Sequence, residues 1–586
     1  MKIAVVGGGV SGLSSIWALN EYSSHEVHLF EPLPWIGGHA NTVTFTSPTS
    51  ASPASAESTL VDTGFIVFNR VTYPNFLRFL QHTGVEILNS DMSFSVTRFI
   101  SALGGYGGFE WAGGSPAALF CQPSNLLNPG HWRMVWDIIR FNQQSVDYLR
   151  LCKANPVEGA EISIGEWLDE RGYSKSFRKN YLIPMTASIW STAPETALSS
   201  FPALTLLRFM HNHHLLQILD RPQWLTIKNG SRSYVDRIVS HLPQERIHQG
   251  NQKGEVVAAW IDGRNAKWTL KTADGAKHAG WDRVIFASHA DETLKMLQAG
   301  EAEGLSVGRQ VLDTLARFQF SQNVAVLHAD TRLMPVRRAA WSAWNFLAET
   351  VPLASSSASI TSSNATLAAN GEDEVNGKQL TSTSEGDVDR VSLTYWMNLL
   401  QSLPESKYGP VLVTLNPTTS PTSPYTPRPE LVLKRQAYAH PLYTPDTVLA
   451  QTHLKPLQGT RGAYFAGAWT NYGFHEDGFS SGLRAAEAVG EVYLPFDVRD
   501  AERSVPASKE WACTLVEVVD GYAKGGVVTR AVQVVLVLLV HVLALVEVVL
   551  AVVGGRRGWM DEVGRVKGFL GESVAEGRTT AKVKSV

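Results

Sequence analysis

Gly7, Gly9 and Gly12 follow directly on the apolar run Ile3-Ala4-Val5-Val6 and precede the apolar stretch that begins at Leu13. Glycines at this G-x-G-x-x-G spacing serve a particular chemistry. The first permits a tight turn, the second lets the backbone approach a pyrophosphate, and the third allows close helix–strand packing. A helix opening at Val10-Ser11 would aim its unpaired N–H groups and its partial positive charge at the phosphates. A second short strand, Glu26–Phe30, leads to Glu31, nineteen residues after Gly12. An acid there can accept both hydroxyls of an adenosine ribose.

Further along, residues with redox or acid–base potential gather in one loop, Trp469 to Asp477. Hydride abstraction from a C–H needs little help from the protein. One base is enough when an amine or hydroxyl must also lose a proton. His475 is the candidate base, since a small environmental shift brings imidazole to working pH, and Tyr472 is its candidate neighbour. The other reading of His475 is a packed or backbone-bonded loop residue. For Glu476-Asp477, capping the following helix is the commoner role. His211 and His214 share a face if residues 209–214 are helical, but no acid or cysteine of suitable spacing joins them, so no metal site is assigned. Trp190 and Tyr395-Trp396-Met397-Asn398 could line an apolar channel or belong to the core.

These residues need a large scaffold, and 586 residues at 44% hydrophobic and 18% charged supply one. The net charge of −3 gives no basic face for nucleic acid. Three scattered cysteines, with no CxxC pair, exclude a disulfide framework or a structural zinc site. The apolar run near the N-terminus, Ile3 to Val6, is only four residues long and leads into glycines, unlike a secretory leader, so a cytoplasmic location is expected. Segments 46–59, 354–390 and 417–429 are rich in Ser, Thr, Pro or Gly and are expected to be poorly ordered. The mean hydropathy of −0.06 conceals one extreme. Residues 531–553 are Val, Leu or Ala at 20 of 23 positions, long enough to span a bilayer. Gln533, His541 and Glu547 form a polar stripe on that helix. A span, an interfacial helix and a helix docked on the protein's own core are the three readings of it.

Several motifs together resemble the flavin-containing amine oxidoreductase superfamily. They are the glycine turn with Glu31, PWIGGHANT (34–42), VDTGF (61–65), RGAYFAG (461–467) and GFSSGLRAAEAV (478–489). At finer resolution, VDTGFIVFNRVTYPN, SDMSFSV, IPMTASIWS, FMHNHHLLQILDRPQW, YWMNLLQ and NYGFHEDG resemble a branch of predicted NAD/FAD-binding oxidoreductases associated with cyclopropane-fatty-acid synthases. The likeness extends from Met1 to about Val492.

The resemblance implies an α/β fold. A Rossmann-like, glutathione-reductase-like FAD-binding domain (1–90, 226–292 and 455–498) is interleaved with an α+β substrate domain (91–225 and 293–454, with a disordered insertion at 351–390). A tail, 499–586, carries the apolar helix. It also implies FAD as cofactor, held by Gly7, Gly9, Val10, Ser11, Gly12 and Glu31. Gly37, Gly38, His39 and Thr42 would approach the pyrophosphate, with His39 standing where the family has arginine. Thr63, Gly64 and Phe65 would lead the backbone along the ring. Val257 lies on a hairpin strand and Ala287 at the end of the strand returning to the FAD domain. Gly467, Ala468, Gly478 and Phe479 would set a helix N-terminus against the flavin, with Ala468 replacing the usual ribitol-binding acid. The strand Asn323–His328 lacks the lysine that amine oxidases place near the flavin. The implied reaction is hydride transfer to flavin N5 from an apolar or acyl, lipid-like molecule. The alternatives are an amine or amino acid, or a non-catalytic flavoprotein supporting a lipid-modifying enzyme. Membrane contact would come through 531–553.

Overall fold

A computed structural model describes residues 1–48, 57–100, 108–154, 162–190, 202–217, 221–351, 380–382, 388–421, 423–501 and 503–523. Its first strand, β1 (Lys2–Val6), and second, β2 (Glu26–Glu31), pair in parallel across helix α1 (Val10–Tyr22). Three later segments join them. Ile247–Gln249 lies outside β2, and Arg283–Phe286 then Ala463–Phe465 lie on the far side of β1, giving a five-stranded all-parallel sheet. Parallel strands must be covered on both faces, so they read as apolar runs, and β1 and β2 are nearly all buried.

Helix α1 is buried along most of its length, from Ser11 to Leu19. Its serines are tolerated because their hydroxyls turn inward. Ser14 and Ser15 donate to the carbonyl of Ser11 at 3.0 and 2.9 Å, and Ser15 also reaches the Gly482 carbonyl at 3.0 Å. Gly482 lies on the long helix His475–Val489, which crosses α1 so closely that a Cβ at Gly482 would overlap the Ser11 carbonyl oxygen. Trp17, Phe76, Phe79, Tyr234 and Phe479 build the core beside this crossing.

The hairpin expected to carry Val257 is present as Val256–Ile261 against Trp268–Thr272, with Lys277–Trp281 as a third antiparallel strand. A second large sheet runs in the order Val432–Leu442, Gln319–His328, Leu412–Leu415, Val388–Trp396, Trp344–Val351, Phe94–Ile100 and Phe109–Ala112. Its pairs are antiparallel except Trp344–Val351 with Phe94–Ile100.

The chain divides into two compact units, Met1–Trp132 with Ala160–Arg503, and Arg133–Gly159 with Ser504–Val586. The first contains both sheets just described. In the second, Arg140 bridges Asp137 and Asp520 at 2.8 and 2.5 Å.

Three segments expected to be poorly ordered are ordered where they are described; 49–56, 354–379 and 383–387 lie outside the described residues. Segment 46–59 ends in strand: Ser58–Asp62 pairs with Thr42–Thr46. Segment 417–429 is docked rather than loose. Tyr425 stacks on Phe99 at 4.5 Å, Ser423 donates to Glu349, and Arg428 meets the buried Asp330. Within 354–390, Leu380–Ser382 pairs with the strand Val388–Trp396. Composition missed these because strand pairing and side-chain anchors depend on partners that composition does not show. Among the described residues no helix is long and apolar enough to cross a membrane. Residues 531–553 lie outside the described residues.

Candidate cofactor and active site

The glycine turn is built as its spacing requires. Gly7 has φ +109°, and a Cβ there would come within 2.8 Å of the Ala287 backbone. A Cβ on Gly12 would overlap the Gly7 carbonyl oxygen, so the turn closes only with glycine there. Gly9 differs: a Cβ placed on it meets nothing within 4 Å. Gly9 is also the N-cap of α1 and supplies no side-chain cap, and the first turn holds no acid. The N–H groups of Val10, Ser11 and Gly12 therefore face this space as an anion site.

Glu31 closes one side. Its carboxylate accepts from the backbone N–H of Gly8 at 2.6 Å and of Leu33 at 2.8 Å. Burial, opposed by these two amides, raises its pKa above the usual carboxylate value. The second glycine pair lies against the first: Gly37 N–H donates to the Gly8 carbonyl at 2.9 Å, and a Cβ on Gly38 would come 3.1 Å from Gly9 Cα. Beyond it the chain is pinned by Thr63 N–H to Asn41 O and Phe65 N–H to His39 O, at 3.0 and 2.8 Å. These residues form one continuous cradle around the open face of Gly9. Its donor set of helix amides, glycine backbone and a ribose-competent acid fits a dinucleotide cofactor.

Several other assigned residues are engaged elsewhere. Thr42 donates to Asp62 at 2.5 Å and accepts from Arg232 N–H, so its hydroxyl belongs to an internal knot rather than to a ligand. Thr63 shares its hydroxyl with Tyr438 at 2.7 Å. Gly64 abuts Tyr438, where a Cβ would come 3.2 Å from the ring. Gly467 donates its N–H to Ser481 at 2.9 Å, and Ala468 begins the short turn Ala468–Thr470. Gly478 packs on Val10, where α1 meets the helix His475–Val489. Phe479 turns its ring into the core against Phe76 and Phe79. Val257 sits at a bulge between the pairs Val256–Thr272 and Ala258–Lys271, with its side chain exposed.

His475 is placed differently from a free base. Its ring stacks on Phe65 with centroids 3.6 Å apart and 6° between planes, and Nε2 shares a hydrogen bond with the Tyr234 hydroxyl at 3.0 Å. Burial pushes its pKa down to about 3. Stacked, hydrogen-bonded and held neutral by burial, His475 is corrected from catalytic base to a packed, neutral ring. Tyr472 lies in an aromatic wall with Phe209 at 5.7 Å and His213 at 6.2 Å, and Phe474 stacks on Phe209 at 5.1 Å. His213 bonds the Phe209 carbonyl, and burial lowers its pKa to about 4.

Asp477 caps its own helix by accepting from Phe474 N–H at 2.8 Å. Glu476 caps a different one: it accepts from the N–H groups of Asn75 and Phe76, at 2.9 and 3.0 Å, in the first turn of helix Pro74–Thr83. Burial raises Glu476 to about 8 against these bonds. Glu476→Ala, leaving two buried amides unpaired, should cost about 1–3 kcal/mol in urea denaturation. The folded state keeps this proton up to about pH 8, whereas the unfolded chain releases it near 4.5. Glu476 therefore makes stability fall as pH rises between those values. Glu476→Gln should flatten that slope.

The helical face expected for His211 and His214 does not exist. Helix Ala203–Asn212 ends before it, and His214 adopts φ +57°. Among the described residues, Asp147, Cys513 and Glu517 could approach one ion, but Lys509 already sits 2.5 Å from Glu517 and 3.8 Å from Asp147. Tyr395 packs edge-on to Trp344, Trp396 on Trp341, and Met397 and Asn398 are buried, so this segment is core.

Sequence reasoning overlooked the strand Val432–Leu442. Tyr438 stacks on His39 at 4.7 Å and His440 lies 5.4 Å from the same ring. The alternation Gln436, Tyr438, His440 was the available signal, since period-2 residues share one sheet face.

Two family models match the chain. The NAD(P)-binding Rossmann-like domain matches residues 5–83, and flavin containing amine oxidoreductase matches residues 431–490. No curated protein matches the sequence. Among solved structures, a putrescine oxidase variant is 14% identical over 83% of this chain and 98% of its own, with a TM-score of 0.52. Cyclohexylamine oxidase from Brevibacterium oxydans is 13% identical over 83% and 98%, at 0.49. A CLA-producing fatty acid isomerase from P. acnes is 11% identical over 82% and 97%, also at 0.49. The first of these shares the fold. Both ends of the cradle are thus matched in order on that fold, and the match of residues 431–490 to flavin containing amine oxidoreductase supports a flavin-dependent, amine-oxidase-like oxidoreductase.

Proposed function

We propose that the flavin is FAD and that the enzyme dehydrogenates or oxidises a small molecule with an apolar or acyl body. The adenine-dinucleotide form is supported by Glu31, an acid at the end of β2 beside an uncapped glycine turn. Bound there, FAD supplies the hydride acceptor. The chain's own residues do the rest. The amides of Val10, Ser11 and Gly12 hold the pyrophosphate, Glu31 orients the ribose, and Phe65 with the aromatic wall excludes water.

The observation that carries the substrate class is the neutrality of that wall. Phe209, His213, Tyr472 and Phe474 present rings, and His213 stays uncharged at neutral pH. The nearby carboxylates of Glu476 and Asp477 are committed to helix caps. A cationic amine would enter without a counter-charge from these groups, and burying an unpaired charge is costly.

The test begins with protein purified gently and examined for bound flavin and released FAD. Anaerobic mixing with panels of acyl donors, amines and amino acids then reads bleaching of the flavin band. Bleaching by acyl compounds is expected. Fast bleaching by primary amines alone would overturn the substrate class while leaving the cofactor assignment intact.

A further inference from the structure

The strand Gln319–His328 carries no lysine toward the cofactor cradle, and His475 is occupied by Tyr234. A different group faces the same region with its proton position fixed by covalent logic. The backbone N–H of Val324 donates to Asn416 Oδ1 at 2.9 Å. A backbone amide can only donate, so this atom of Asn416 must be the oxygen, and its other terminal atom is the NH2 group. That group donates to Asn323 Oδ1 at 2.7 Å. Asn323 is thereby oriented too, and its Nδ2 donates to His440 Nδ1 at 2.9 Å. Ser321 accepts the rest of the same NH2 group, through its carbonyl at 3.2 Å and its hydroxyl at 3.1 Å. Nδ1 of His440 is therefore an acceptor, and the single proton of the neutral ring resides on Nε2.

His440 lies two residues from Tyr438, which packs on Gly64 and on His39. The His440 ring is 5.4 Å from His39, whose own Nε2 is buried without a hydrogen-bond partner. His39 follows Gly38, the residue that touches Gly9.

We propose that His440 is a fixed hydrogen-bond donor of the redox site, presenting Nε2–H to the polar edge of the bound flavin, with Asn323 and Asn416 as its positioning residues. The proposal rests on the FAD reading above. It gives His440 an electrostatic part: the ring keeps its proton throughout. A bound flavin would take the hydrogen of the donor's broken C–H bond together with both electrons, and would become more negative. A preoriented N–H aimed at that growing charge stabilises the product more than the starting state. Neutrality suits this role. Burial, with His289 nearby, holds the His440 pKa down at about 4. The other titratable rings facing it, His39 and Tyr438, are likewise kept uncharged by burial.

The test uses the full-length holoprotein labelled with nitrogen-15 at histidine, and the midpoint potential of the bound flavin measured by dithionite titration with reference dyes. In the wild type, the resonances absent from His440→Phe should show a bare Nδ1 and a protonated Nε2. His440→Phe should retain flavin but hold about 10- to 100-fold less of it reduced at a fixed ambient potential, the range for a hydrogen bond to a charged group. Asn323→Asp places a carboxylate against Nδ1 and should put a proton there, making the midpoint potential rise and become pH-dependent near neutrality. An unchanged potential in flavin-loaded His440→Phe, or a wild-type His440 protonated on Nδ1, overturns the proposal alone. Wild-type protein that takes up no flavin when offered FAD overturns the FAD reading, and the proposal with it.

Discussion

Gly9→Val should abolish flavin retention while leaving the melting temperature of the apoprotein unchanged within about 1 °C. Gly9 has φ −73° and ψ −176°, a conformation open to any L-residue. A Cβ there meets no protein atom within 4 Å, so the side chain's first carbon enters open space in the folded chain. That space is where the uncapped amides of α1 point, and a pyrophosphate held there must approach the backbone closely. Retention should weaken by on the order of 100-fold or more, equivalent to about 3 kcal/mol. Gly12→Ala is the contrasting variant, because its Cβ overlaps the Gly7 carbonyl oxygen and the turn itself must open. It should lose flavin and melt several degrees lower. Flavin bound normally by Gly9→Val would show that the open face of the turn is not the phosphate site.

The largest stability effect is expected at Asp62. This carboxylate is 1% exposed. It accepts from the Thr42 hydroxyl at 2.5 Å, from the Ser231 N–H at 3.0 Å, from the Ser231 hydroxyl at 2.7 Å and from Gln401 Nε2 at 3.3 Å. Four donors from three distant parts of the chain thus converge on one side chain. Asp62→Ala strands them in the interior and should cost about 3 kcal/mol or more in urea denaturation, because a buried donor left unpaired loses its full desolvation energy. Burial lifts the carboxyl to about 6, even against these bonds. The folded state therefore holds the proton up to about pH 6, whereas the unfolded chain releases it near 3.8. The sign follows: this group makes stability decline as pH rises from about 4 to 6. Asp62→Asn should lose that slope. An Asp62→Ala variant as stable as wild type would show that the Thr42–Ser231–Gln401 knot is not a structural joint.

The cradle was legible in the sequence because its parts are local. Gly7, Gly9 and Gly12 are identified by spacing alone, Glu31 by its place at the end of an apolar strand, and Gly37-Gly38 by its distance from that acid. Each is a requirement of backbone geometry within a few residues. The roles of His475, Glu476 and Thr42 were not legible. His475 reads as a base in isolation, yet Phe65 claims its face and Tyr234 its Nε2. Glu476 reads as a cap for its own helix, yet it caps one that begins 402 residues earlier, at Pro74. Segment 417–429 reads as loose by composition, yet Tyr425 on Phe99, Ser423 on Glu349 and Arg428 on Asp330 dock it.

By itself, then, the sequence determined the dinucleotide turn, the parallel α/β class and the likeness to flavin-containing amine oxidoreductases, since these rest on local glycine spacing and apolar strands. Tertiary structure alone decided which polar groups are spent and which are offered. The carboxylates of Asp62 and Glu476 are spent on joints, His475 Nε2 is spent on Tyr234, and the Nε2–H of His440 remains. The physical reason is that a side chain's protonation and hydrogen-bonding capacity are set by its neighbours in space. The neighbours that matter here, Val324, Asn416 and Asn323 for His440, lie 116, 24 and 117 residues away along the chain.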